Sequence, residues 1–168
     1  MSKGRVSRRR ARASYRLARI SALSAMSVIG SFIHFPAPIP TIAFDSFPGF
    51  FAALYFGVGD GALVSVIGHL VTSILNGFPL GLLHLPIALG LSVAGAAIGL
   101  INRLERPWSF LPALAAGIAI NTGLVIIVVP SLGWAATLSL VPFLLLASSI
   151  NAAVAGATYA GLRGRLPF

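Results

Sequence analysis

From Ile20 to Asn102 the chain is almost free of charge: Asp45 and Asp60 stand there without any Glu, Lys or Arg, beside the histidines His34, His69 and His84. From Pro107 to Leu162 there is no Asp, Glu, Lys, Arg or His. Polar or proline-rich breaks divide these apolar blocks at His34–Ser46 (with Pro36, Pro38 and Pro40), Gly59-Asp60-Gly61, Asn76–Gly81 and Pro130-Ser131-Leu132-Gly133. The pattern predicts six helices, at Leu17–Ile33, Phe47–Val58, Ala62–Leu75, Leu82–Ile101, Trp108–Val129 and Trp134–Leu162. A helix needs about 20 apolar residues to cross a bilayer core, and a charge at its centre costs several kcal/mol. The predicted fold class is therefore an all-α membrane protein with six transmembrane helices. Helices two and three are short for a crossing; they either extend into the flanking loops, thin the bilayer or sit against longer neighbours. A four-crossing arrangement, with that pair as a re-entrant hairpin, leaves the termini on the same sides and stays open.

Composition agrees with the pattern: 57% of the 168 residues are hydrophobic and 9% charged, against roughly 25% charged in ordinary globular chains. The net charge of +9 suggests nucleic acid at first sight. The positive charge instead forms clusters at the edges of apolar blocks: Lys3 to Arg19, Arg103 with Arg106, and Arg163 with Arg165. Cytoplasmic anchors are distributed in this way. No nucleic-acid partner is expected, while the bilayer and its anionic lipids are. All three clusters then face the cytoplasm, and even numbers of crossings separate them. The expected organisation is a basic cytoplasmic tail at 1–16, a single six-helix membrane domain at 17–163 and a cytoplasmic tail at 164–168. The first span, following Arg8-Arg9-Arg10 and running on into His34-Phe35-Pro36-Ala37-Pro38, reads as uncleaved. The absence of cysteine excludes a disulfide framework and a thiol nucleophile.

This topology puts His34–Ser46 and Asn76–Gly81 outside and Gly59-Asp60-Gly61 inside. The outer loops carry His34, Thr41, Asp45, Ser46, Asn76 and Phe78, with His84 one turn into helix four. A concave site with an apolar lining and a few aimed polar groups is how small molecules are held. Asp45-Ser46 serves equally as an N-cap for helix two, and Asp60 reads first as a solvated turn residue. His69, Thr72 and Asn76 share one face of helix three. His69 is either a functional group in the membrane or a neutral histidine satisfied by a neighbour. Asn121 and Asn151 must find a partner, in another helix or in a ligand. Trp108 and Trp134 read as interfacial anchors. His34 and His84 can converge outside, with His69 expected on another level, so no metal site is expected. No nucleophile has an evident base, no glycine loop cradles phosphate, and neither catalytic residues nor a cofactor are expected.

Small residues recur every four positions in helix one (Ser14, Ala18, Ala22, Met26, with Ser21 and Ala25), helix four (Gly90, Ala94, Gly95, Ala97, Gly99) and helix six (Ala152, Gly156, Ala160). Such rows let helices approach closely in lipid, either within one chain or against a partner.

Ordered stretches carry a resemblance. They are Ala18-Arg19-Ile20-Ser21-Ala22; Phe35-Pro36-Ala37-Pro38; Asp45-Ser46-Phe47-Pro48-Gly49-Phe50-Phe51-Ala52-Ala53-Leu54; and Gly68-His69-Leu70 with Gly77-Phe78-Pro79-Leu80-Gly81 and His84. From about Leu17 to its end the chain resembles the substrate-binding S-components of energy-coupling factor (ECF) vitamin transporters. The last group is most similar to a branch associated with cobalamin precursors, α-ribazole or dimethylbenzimidazole. The resemblance implies six helices with both termini cytoplasmic, in a bacterial plasma membrane, and no enzyme activity. It implies capture of a vitamin-like ligand and delivery with a transmembrane coupling protein and two ATPase subunits, which alone use ATP. It also implies ligand contacts from His34, Asp45, Ser46, Asn76, Phe78, His84 and Asn151, and docking on the coupling protein through Ala18 and Ala22. Cobalt- and nickel-binding relatives begin with a Met-His pair, whereas this chain begins Met1-Ser2, which argues against a metal cargo. The competing reading is a structural or regulatory membrane subunit that docks helices without cargo.

Overall fold

The apolar blocks form helices close to where the pattern predicts them. The computed structural model describes residues 3–104 and 106–164, with side chains from Arg10 onward. In it, α1 spans Lys3–Ser31, α2 Phe47–Phe56, α3 Val58–Leu75, α4 His84–Asn102, α5 Phe110–Gly123 and α6 Val129–Leu162. Short 3-10 turns at Gly81–Leu83 and Leu124–Val128 lead into α4 and α6. The predicted break at Pro130–Gly133 survives as a kink within α6, where Gly133 has φ 76° and ψ 167°. Among the described residues, three helical stretches are long and apolar enough to cross a membrane: Val58–Leu75, Gly81–Asn102 and Phe110–Leu162, the last comprising α5 and α6.

Two boundaries differ from expectation. The chain turns between α2 and α3 at Gly57, whose φ of 91° suits glycine. Gly59, Asp60 and Gly61 therefore lie in the first turn of α3 rather than forming a turn of their own. Residues 3–16 continue α1 as helix. Of the expected C-terminal tail, residues 165–168 lie outside the described residues, as do Met1, Ser2 and Glu105.

Helix α2 is apolar on every side, and such a helix is stable only when surrounded. It touches all five other helices, and Pro48 through Leu54 are buried without interruption. Around Phe50, at 0% exposure, pack Ile20 and Leu23 of α1, Val64 of α3, Ile98 of α4, Ala113 and Leu114 of α5, and Ala152 and Ala155 of α6. At about 1.5 Å per residue α2 is about 15 Å long, half a bilayer core, so the chain must dip into the bundle to begin it.

Close approach of α3 and α4 depends on the glycines of the predicted row. A Cβ on Gly95 would stand 2.6 Å from the Gly61 carbonyl oxygen, and one on Gly99 would stand 2.6 Å from the Val58 nitrogen. Gly156 of α6 similarly faces Leu114 of α5. These rows pack within the molecule. The α1 row does not: Ser14, Ala18, Ala22 and Met26 are exposed, while Ile20, Leu23, Ser24, Ser27 and Ser31 face the core.

The described basic residues flanking the apolar blocks gather at one end. Arg16 and Arg19 of α1 reach Asp60 of α3, and the Arg19 guanidinium lies 4.5 Å from the Phe56 ring centre. Arg103, Arg106 and Arg163 surround a cleft with Tyr55 and Phe56. The two predicted outer loops meet at the opposite end, where His34 Nε2–H donates to Asn76 Oδ1 at 2.9 Å. Asp60 is thus no solvated turn residue: it is 3% exposed, and both arginine Nε groups donate to its carboxylate at 2.6 Å.

Candidate functional site

The loop from Phe32 to Ser46 folds on itself before α2 begins. Phe35 N–H donates to the Ile42 carbonyl at 3.0 Å and Phe44 N–H to the Ile33 carbonyl at 2.9 Å. The returning strand then descends between α1 and α3. A Cβ on Gly68 would touch Ser27 of α1 at 2.7 Å and stand 3.8 Å from the Asp45 carbonyl. Asp45 therefore lies about two helical turns below the end of α3, with Ile42, Ala43 and Asp45 all buried.

Asn151 of α6 holds this descending segment. Its Oδ1 accepts the backbone N–H groups of Ser46 at 3.0 Å and Phe47 at 2.7 Å, and its Nδ2 donates to the carbonyls of Ala43 at 3.3 Å and Ala147 at 2.9 Å. The first turn of a helix has N–H groups without helical partners, and here a side chain from another helix caps them. Ser46 occupies the N-cap position but does not cap: its hydroxyl donates instead to Asp45 Oδ1 at 3.2 Å.

Above α2 lies a cavity of about 680 Å³, counting its open mouth. The α1–α2 loop supplies Ile39, Thr41, Ile42, Ala43, Asp45 and Ser46 to its wall; α3 gives His69, and α4 gives His84, Ile87 and Leu91. Asn121 of α5 and Leu140, Leu144, Ala147, Ser148 and Asn151 of α6 close the far side. The lining is apolar with a few polar atoms, and among the described residues it includes neither lysine nor arginine.

Two histidines meet on one wall. His84, at 0% exposure, accepts the Leu80 N–H at Nε2 over 3.3 Å, so its ring hydrogen sits on Nδ1. That hydrogen points at Ser73 Oγ, 2.9 Å away, and His69 Nε2, 3.2 Å away. Ser73 uses its own hydroxyl hydrogen on the His69 carbonyl at 2.7 Å, which leaves Oγ to accept. His69 is therefore level with His84, contrary to expectation, because the α3–α4 connection folds back over α3. Phe78 N–H donates to the Ser73 carbonyl at 2.8 Å, and Phe78, with φ 56°, lays its ring 4.9 Å from that of His84. Across the cavity Asn121 Nδ2 donates to Ser148 Oγ at 2.8 Å, an α5–α6 bond.

Of the sequence-predicted ligand residues, Asp45, Ser46, His84 and Asn151 stand on the cavity wall. His34, Asn76 and Phe78 stand off it: the first two bond to each other at the rim, and Phe78 backs His84. His69, Asn121 and Ser148 join the wall. Asn121 carries a sequence signal, as an amide within an apolar helix; Ser148 carries none, since small hydroxyls are common in packed membrane helices.

Residues 15–163 match the family described as ECF transporter, substrate-specific component. The chain belongs to this family. Neither the curated proteins nor the solved structures yield a match. Family membership makes the chain the substrate-specific subunit of an ECF transporter, a membrane transport protein and not an enzyme.

Proposed function

We propose that this S-component captures a small vitamin precursor from outside a bacterial cell in the cavity above α2, and delivers it inward with a transmembrane coupling protein and two ATPases. In this reading the chain crosses the plasma membrane six times. Its arginine-rich end is cytoplasmic, with both termini, and the His34–Asn76 rim is extracellular. Gathering of the arginines at one end of the bundle supports that orientation.

The observation that carries the substrate reading is the wall itself. Its one charged group is the Asp45 carboxylate, an acceptor, set among the neutral side chains of Thr41, Ser46, His69, His84, Asn121, Ser148 and Asn151. No cation stands among them to meet a carboxylate or phosphate. The cargo is therefore an uncharged or weakly cationic heterocycle with N–H or O–H donors and an otherwise apolar body, which the benzimidazole type of cobalamin precursor satisfies. Native mass spectrometry of the protein as purified, followed by calorimetry over such compounds, tests this. Preferential binding of acidic vitamins would overturn it, and absence of any small-molecule binding would favour a structural subunit without cargo. Asp45→Asn keeps the shape and the Ser46 bond but removes the charge. It should weaken cargo binding at least about tenfold, the worth of one charge-assisted hydrogen bond, without moving the melting temperature.

The exposed face bearing Ala18 and Ala22 is the proposed contact for the coupling protein, since small residues there admit a second helix closely. An Ala18→Leu, Ala22→Leu variant should bind cargo normally in detergent yet lose ATP-driven uptake in vesicles with the coupling module. Full uptake by that variant would remove Ala18 and Ala22 from the docking face.

A further inference from the structure

At the end of the bundle opposite the cavity, a second cleft opens between the C-terminal ends of α2, α4 and α6 and the start of α5, enclosing about 860 Å³ with its open mouth. Its floor is a hydrogen-bonded network centred on Asn102. Asn102 Nδ2 donates to the Leu54 carbonyl at 2.9 Å and to the Tyr159 hydroxyl at 3.3 Å, while the Ser109 hydroxyl donates to Asn102 Oδ1 at 3.0 Å. Asn102 thereby has partners for both its amide nitrogen and its amide oxygen within the floor.

The rim is different. Arg103, Arg106 and Arg163 stand around it, and Arg163 spends one N–H on the Pro107 carbonyl at 2.7 Å. Among the described residues, no acid reaches them: Asp60 is held by Arg16 and Arg19, and Asp45 lines the other cavity. Glu105, outside the described residues, can offset at most one of these three charges, which leaves two. Beside the rim Leu100, Leu104, Trp108 and Leu111 are between 53% and 69% exposed. A belt of this kind, with tryptophan among its members, belongs at the lipid interface. A phospholipid meets both features at once, its phosphate at the arginines and its acyl chains at the exposed leucines.

We propose that this cleft binds the phosphate headgroup of an anionic phospholipid, with its acyl chains against the neighbouring leucines. Basic pockets between membrane helices recognise such headgroups in general, each cation contributing about a fivefold gain in affinity.

Native mass spectrometry of the full chain tests this, with phosphatidylglycerol, phosphatidylcholine of the same acyl chains, and glycerol phosphate as probes. The expected result is selective retention of phosphatidylglycerol, reduced about fivefold by Arg103→Gln and about fivefold again on adding Arg106→Gln. Neither side chain is needed by the floor network, and an unchanged melting temperature and cargo affinity would show that both variants fold. Equal retention of the two lipids, or phosphatidylglycerol retention unmoved in the double variant, overturns the proposal. Displacement of the lipid by millimolar glycerol phosphate also overturns it, by making the site one for free phosphate. Capture of an acidic peptide in preference to phosphatidylglycerol has the same consequence.

Discussion

Asn151→Leu should lose cargo binding and melt on the order of 10 °C below the unsubstituted protein. The amide joins α6 to the segment that begins α2 through the N–H groups of Ser46 and Phe47 and the carbonyl of Ala43. A leucine of similar volume fills the space but leaves three backbone groups without partners, the Ala43 carbonyl buried and the Ser46 and Phe47 N–H groups part-buried. Each costs about 1–3 kcal/mol, so the loss is roughly 3–9 kcal/mol, with the part-buried pair toward the low end, at a few degrees per kcal/mol for a chain of this size. Asn151→Asp keeps the acceptor toward Ser46 and Phe47 but loses the donor toward Ala43, and should fall between the two. The contrast with Asp45→Asn is diagnostic: both side chains line the cavity, but only the Asn151 change should lower binding and stability together. Measurement is by thermal unfolding in detergent beside cargo titration. A leucine variant melting within about three degrees of the original, the shift of roughly one kcal/mol, would mean that the α1–α2 loop is held elsewhere.

Much of the fold was legible because the bilayer restricts what a sequence can do. Charge has to stay at the ends, so the positions of Arg16, Arg19, Arg103, Arg106 and Arg163 mark one end of the bundle, and the proline and glycine breaks mark the turns. The α4 and α6 glycine rows were legible for the same reason, since close helix packing in lipid selects small residues. What stayed hidden depends on contacts between distant parts of the chain. Asn151 reads as an amide needing a partner; nothing in the sequence says that the partner is a helix start 104 residues away. Ser46 has the right identity and position for a cap, and the competition from Asn151 is invisible. Counting residues along straight helices puts His69 deeper than His84, whereas the connection Asn76–Leu83 doubles back before α4 starts and brings the two rings together. Asp60 shows the same limit most sharply. Flanking glycines suggest an open turn, yet the two arginines that bury it sit three positions apart on a helix more than 40 residues earlier.

That buried ion cluster supports the last expectation: Arg16→Gln, Arg19→Gln should destabilise the protein by about 3–5 kcal/mol, and adding Asp60→Asn should restore most of the loss. Residues three apart share a helix face, so Arg16 and Arg19 approach the two carboxylate oxygens together, each at 2.6 Å. Asp60 also lies in the first turn of α3, where the helix end favours negative charge. Removing both arginines strands a carboxylate that is 3% exposed, and an unpaired buried charge is what makes breaking such pairs expensive. Removing the carboxylate instead costs less, because the arginine side chains, 49% and 33% exposed, can turn to water. The four variants form a cycle whose non-additivity measures the coupling directly. The same clamp fixes the rotation of α1, and with it the outward direction of Ala18 and Ala22. The double-arginine variant should therefore also assemble poorly with the coupling module, and the triple variant should recover part of that assembly. A triple variant no more stable than the double one would mean that the arginines act through packing against Phe56 rather than through Asp60.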